Sequence, residues 1–254
     1  MPKKSPKISD TSPLDLLDVP LPSDAEVVPP FETKELRKAL AKFFNTLVDD
    51  SAIGSLKLGN YKWGVYAFYD YDDEPIYVGQ TKRTLRDRIG RHLTNQRTDA
   101  VAMNVLDPFE VCSIAVWPLA QFQNIGSKDK DAKHYLDALE YTVYQQLLGE
   151  SKFRAVLNEK APPPPKVEIV VPQPHKAKIV TAIVSSLRDH PDLRIARRAM
   201  TLSRLAQVIS ERKVPGGLRL VLLTQAKRLQ WLAQRRYNLM AGIVEEAEPL
   251  RDEE

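Results

Sequence analysis

The residues of this chain best suited to chemistry are two tyrosines, an arginine, a histidine, a glutamate and an asparagine, spread from Tyr66 to Asn158. Arg88 and His92 stand four apart. On a helix that spacing puts them on one face in successive turns, a fixed cation and a titratable imidazole presented to one point. Glu140 lies in a helical pattern whose apolar stripe is Leu136, Leu139, Val143 and Leu147, and it sits beside that stripe rather than opposite it. A carboxylate turned toward a core is costly unless it is paired or binds a metal. Tyr66 and Tyr77 are each close to a glycine that permits near approach of a backbone or ligand. Taken singly, each has an ordinary reading. Strand tyrosines pack well on a pleated surface, Arg and His at this spacing form a solvated face, and a marginal Glu bridges to a nearby arginine.

These side chains need a frame, and the apolar periodicity supplies one. Alternation predicts strands at WGVYAFYDY and IYVG, joined by the acidic turn DDEP into a hairpin that puts Tyr66 and Tyr77 on neighbouring strands. The segment TLRDRIGRHLTN, with Leu85, Ile89 and Leu93 as its buried stripe, predicts the helix carrying Arg88 and His92. The β-branched run FEVCSIAVWPL, closed by Pro118, predicts a third strand, and DAKHYLDALEYTVYQQLL a long helix carrying Glu140. Ahead of these, TKELRKALAKFFNTLVDD predicts a lead-in helix with Thr33 as its N-cap.

The order and spacing of the six residues resemble the GIY-YIG nuclease superfamily. Gly64-Val65-Tyr66 is followed by Tyr77-Val78-Gly79, then Arg88 and His92 in a helix, Glu140 in a later helix and Asn158 just after it. Val stands for Ile in both tripeptides, which preserves strand shape. Arg88 is taken as the active-site arginine because it is four before His92, with Arg86 the alternative. The resemblance covers roughly residues 61–160. It implies an α+β fold with a small, mostly antiparallel three-stranded sheet flanked by helices, and a divalent-metal-dependent endonuclease that hydrolyses DNA. On that resemblance Glu140 binds one Mg²⁺ (or Mn²⁺), an ion that suits oxygen ligands with retained waters. Tyr66 acts as, or assists, the general base, helped by either His92 or the local cationic field, and Arg88 clamps the scissile phosphate. Tyr77 and Asn158 position water, phosphate and strand ends. Gly79 and the cations Lys82, Arg83, Arg86 and Arg91 are candidates for flanking nucleic-acid contacts. Relatives serve in restriction, repair and mobile elements, among which these residues do not choose. Two other classes stay open: a non-catalytic nucleic-acid-binding protein that keeps the scaffold, and a protein-interaction module.

The rest of the chain divides by composition. Residues 1–31 carry seven prolines and no sustained period, a disordered leader, and 32–60 hold the lead-in helix and a connector. Residues 161–175, with four successive prolines, read as a semi-rigid spacer and domain boundary. Beyond it, 176–243 predict a basic region of three helices, roughly 176–188, 192–213 and 217–241. Fourteen Lys or Arg stand there between 176 and 236 against only Asp189, Asp192 and Glu211. That excess suggests a phosphate-facing surface that includes Arg194, Arg197, Arg198 and Arg204, although apolar stripes in the same helices fit a bundle or oligomerisation segment equally well. Residues 244–254 form an acidic tail. A net charge of +4 and a pI near 9.0 are compatible with a polyanionic partner. The single cysteine, Cys112, excludes an intrachain disulfide framework and, set among apolar residues, points to a buried thiol in a reducing cytoplasm. Scattered histidines exclude a zinc spacing, Pro215-Gly216-Gly217 lacks a P-loop pattern, and no apolar run approaches the ~20 residues of a membrane span.

Overall fold

Strand β3 (Gly64–Tyr69) is an inner strand of the main sheet, and all six of its residues are buried. Period-2 alternation sends Tyr66 and Phe68 to one face and Val65, Ala67 and Tyr69 to the other, and each set joins a separate apolar cluster. A strand apolar on both faces must be covered on both, and helices provide the cover. The computed structural model describes residues 31–50, 53–93, 105–165, 168–214 and 216–243. The expected leader up to residue 30 and the acidic tail lie outside them.

Strand β4 (Pro75–Thr81) pairs antiparallel with one edge of β3, and β5 (Ser113–Pro118) pairs antiparallel with the other. The acidic turn between β3 and β4 is tied by the Asp70 carboxylate, which accepts from the backbone N–H of Asp72 and Glu74. Helix α2 (Leu85–Leu93) packs Leu85, Ile89 and Leu93 into the cluster that holds Tyr66 and Phe68. Helix α3 (Lys130–Glu150) starts at Asp129, whose side chain accepts from Ala132 N–H, and lays Leu136, Leu139, Val143 and Leu147 against Val65, Ala67 and Val78. Full burial of side chains of this size is worth about 1.5–3 kcal/mol each. The α+β class with an antiparallel sheet between helices is as expected, and Cys112 is buried.

Three features depart from the expectation. The lead-in helix α1 (Phe31–Phe44) ends before LVDD, which instead forms strand β1 (Leu47–Asp50) of a small hairpin with β2 (Gly54–Lys57). Thr33 lies inside the first turn of α1 instead of capping it. The main sheet has four strands, because β6 (His175–Lys178) pairs antiparallel with β5 where a helix was expected to begin. Backbone pairing with an open sheet edge overrides the helix-compatible composition of His-Lys-Ala-Lys. The prolines therefore lead the chain back into the sheet, and the described residues on both sides of them belong to one compact unit.

Helices α4 (Ala182–Arg188), α5 (Pro191–Glu211) and α6 (Gly216–Met240) follow β6 among the described residues. Leu205, Leu218 and Val221 join the same cluster as α2, so this C-terminal region is packed on the sheet layer that also holds Tyr66.

Candidate active site

Register puts Gly79 opposite Tyr66 and Tyr77 opposite Phe68. A Cβ at position 79 would come within 2.6 Å of both the Cζ and the hydroxyl oxygen of Tyr66, so only glycine lets that phenol lie across β4. The Tyr66 hydroxyl lies 2.9 Å from His92 Nε2 and accepts from Arg88 Nε at 3.2 Å. Arg88 and His92 meet it together because they project from one face of α2. The Tyr77 ring packs on the same pair, 5.4 Å from the His92 ring and 6.2 Å from that of Tyr66. Arg86 turns the other way, donating to Asn45 and lying over the Phe44 ring, which leaves Arg88 as the arginine of this cluster.

Glu140 approaches from the opposite layer. Gln80, two residues on from Val78, points to the α3 face at the edge of the sheet, and its Nε2 donates to Glu140 Oε2 at 2.8 Å and to Asp137 Oδ1 at 2.9 Å. Burial pushes the Glu140 carboxyl above its ordinary range. The Gln80 hydrogen bond and Arg88 pull it down, and Asp137 pushes it further up. Burial by itself would lower Arg88, but Tyr66, Tyr77 and Glu140 outweigh it and hold the guanidinium above its usual value. Arg88 thus couples the two layers, hydrogen-bonded to a phenol on one side and attracted by a carboxylate on the other. The Glu140 carboxylate is the donor that suits a hard divalent cation, with Asp137 one turn before it on α3; Gln80 Oε1 is buried with no hydrogen-bond partner among the described residues. Those described residues contain no cluster of three or more His, Cys, Asp or Glu, so a cation here would keep most of its ligands as water.

Residues 62–146 match the family model of the GIY-YIG catalytic domain. This part of the chain is a GIY-YIG domain. No curated protein and no solved structure matches the chain. The match spans Tyr66, Tyr77, Arg88, His92 and Glu140 and ends before Asn158. Gln80 and Asp137 also fall within it. Neither was among the residues singled out from sequence, although both signals were present: Gln80 shares the face of Val78 at the strand's end, and Asp137 is one turn before Glu140.

Asn158 closes the edge of the GIY-YIG sheet. Its Oδ1 accepts from Val78 N–H at 3.0 Å and its Nδ2 donates to Val78 C=O at 2.8 Å, so the carboxamide caps β4 as a neighbouring strand would. With Tyr77, His92, Leu157 and Lys160 it lines a cavity of about 410 Å³. Of the expected flanking cations, Arg83 and Arg91 are exposed and Lys82 is half-buried.

The arginines of α5 correct the expected basic surface. Arg194 and Arg198 are buried, and Arg197 is mostly covered, where phosphate contacts were expected. Arg198 donates to Glu110 at 3.0 Å and to Asp70 at 2.9 Å, Arg228 of α6 donates to Asp70 at 2.6 Å, and Arg197 donates to Glu110 at 2.9 Å. Arg194 pairs with Asp72. The GIY-YIG domain buries an acidic turn and Glu110, and the C-terminal helices supply the countercharge. Arg204 remains exposed on α5.

Proposed function

We propose that this chain is a divalent-metal-dependent endonuclease that hydrolyses DNA phosphodiester bonds. The observation that carries the reading is the Tyr66 hydroxyl held between Arg88 and His92, with Glu140 coupled to the same Arg88 from the opposite layer. A phenol with pKa near ~10 is a poor base by itself. Here an imidazole lies within hydrogen-bond reach to take its proton, and the guanidinium on its oxygen favours negative charge there. Tyr66 would accept a proton from the attacking water as its own passes to His92.

Arg88 also has the forked donors to bind the non-bridging oxygens of the scissile phosphate, where charge grows in the transition state. The cavity beside Tyr77 and His92 is the space we assign to the strand being cut, with Lys160 at its wall and Arg83 and Arg91 on flanking phosphates. Glu140 would hold the cation, with Gln80 and Asp137 behind it. When bound, that ion supplies charge neutralisation for the departing 3′ oxygen. Asn158 would act through β4, keeping Tyr77 and Gly79 in place.

The test is nicking of supercoiled plasmid by the purified protein in Mg²⁺ and in chelator. Cleavage in Mg²⁺ alone, lost in a folded Tyr66→Phe variant, is the expected result. Binding of DNA without cleavage in either condition would favour the non-catalytic scaffold instead.

A further inference from the structure

We infer that Gln80 is a positioning residue for Glu140 and that Asp137 in turn positions Gln80, so that one carboxamide shared by two carboxylates aims the group that would hold the cation. The inference rests on the reading of Glu140 as that group. A glutamate on a helix has three side-chain torsions, and its carboxylate needs a partner to be held in one orientation. Arg88 attracts Glu140, but the direct hydrogen bond comes from Gln80 Nε2 at 2.8 Å.

The backbone of Gln80 is fixed by its pairing with Val65, and its side chain faces α3 by strand alternation. Asp137 and Glu140 are three apart on α3, so they project from one face in successive turns. The two N–H groups of a single carboxamide then satisfy both acids, at 2.9 and 2.8 Å. The orientation has a consequence in the same side chain: Gln80 Oε1 is left buried without a partner among the described residues. A buried carbonyl without a hydrogen bond opposes folding, and such groups are uncommon in native proteins. Turning the amide over would give Oε1 no donor from either carboxylate and would face it to two anions. The carboxamide is thus held for its N–H groups, and the groups it serves are Glu140 and its neighbour one turn away.

The experiment is a double-mutant cycle read by Mn²⁺ binding, followed by electron paramagnetic resonance on wild type, Gln80→Leu, Asp137→Ala and the double variant, with circular dichroism as the control of folding. Each single change is expected to weaken Mn²⁺ binding by about 10-fold or more, as loss of a supporting partner of a metal ligand does. The double variant is expected to be no weaker than the worse single one, because both remove one device. Plasmid nicking should lose kcat with KM for DNA unchanged. Gln80→Leu binding Mn²⁺ as wild type does, or losses that multiply in the double variant, would overturn the inference while leaving Glu140 as the cation-holding group. Wild type failing to bind Mn²⁺ at all would instead remove the reading on which the inference rests.

Discussion

Glu110 and Glu140 are two covered carboxylates of one domain with opposite fates. Burial pushes both up. Around Glu110 three guanidinium groups, from Arg198, Arg194 and Arg197, overcome that push and hold it below the ordinary carboxylate range. Around Glu140 one amide and one more distant guanidinium do not, and Asp137 adds to the push, so it stays above. Glu110 has no capacity left for a ligand, whereas Glu140 gains from any cation that arrives. A fully paired buried acid joins elements together, and an under-paired one, attracted by the same guanidinium that holds a phenol, is poised to bind. The arginines divide in the same way: Arg194, Arg198 and Arg228 face carboxylates, and Arg88 faces a phenol.

The largest effect should come from the under-paired side. Arg88→Met removes both one partner of the Tyr66 hydroxyl and the proposed phosphate clamp, and the nicking rate is expected to fall on the order of 10³-fold with the circular dichroism spectrum unchanged. On the paired side the loss is one of stability. Glu110→Gln takes the carboxylate from Arg197 and one of two or more from Arg194 and Arg198, and chemical denaturation should show a loss of about 3 kcal/mol. If Glu110→Gln were neutral in stability, the division between the two regions would not hold.

Acid should erase that second difference. The folded-state values of Glu110 and Asp72 lie below their ordinary 4.5 and 3.8, so the stability they contribute is complete at neutral pH and is lost as pH falls below about 4.5 through the depressed values. The raised carboxyls of Glu140 and Glu74 act with the opposite sign and offset part of the loss. Melting temperatures of wild type and Glu110→Gln, measured from pH 7 to pH 3, should converge toward the acid end. The smallest effect concerns DNA affinity. Arg197→Ala should leave the salt dependence of binding unchanged, whereas Arg83→Ala or Arg91→Ala should reduce its slope by roughly one.

The contrast also marks where sequence reading works. Local rules assigned Tyr66, Tyr77, Arg88, His92 and Glu140 to their elements by strand alternation, a spacing of four on a helix and a charge beside an apolar stripe, but only their order, shared with the GIY-YIG pattern, gathered them into one candidate site. The destinations of Arg194, Arg198 and Arg228 were not, because their partners Asp70, Asp72 and Glu110 are distant in the chain, and a count of basic residues says nothing about which acids the fold will bring to them. Strand β6 was hidden for a related reason, since its four residues form a strand only through the open edge of β5. Gln80 was missed because a strand-end glutamine looks like any solvated side chain until α3 puts two carboxylates in front of it.

The most direct test is a side-by-side measurement on one variant, Glu140→Gln: single-turnover nicking of supercoiled plasmid in saturating Mg²⁺, together with the melting temperature. Because burial raises this carboxyl, its ionisation opposes folding above about pH 4.5, and the neutral amide should melt slightly higher than wild type at pH 7 while cutting no DNA. Cleavage by Glu140→Gln at the wild-type rate would contradict the assignment of a nuclease centre to this site.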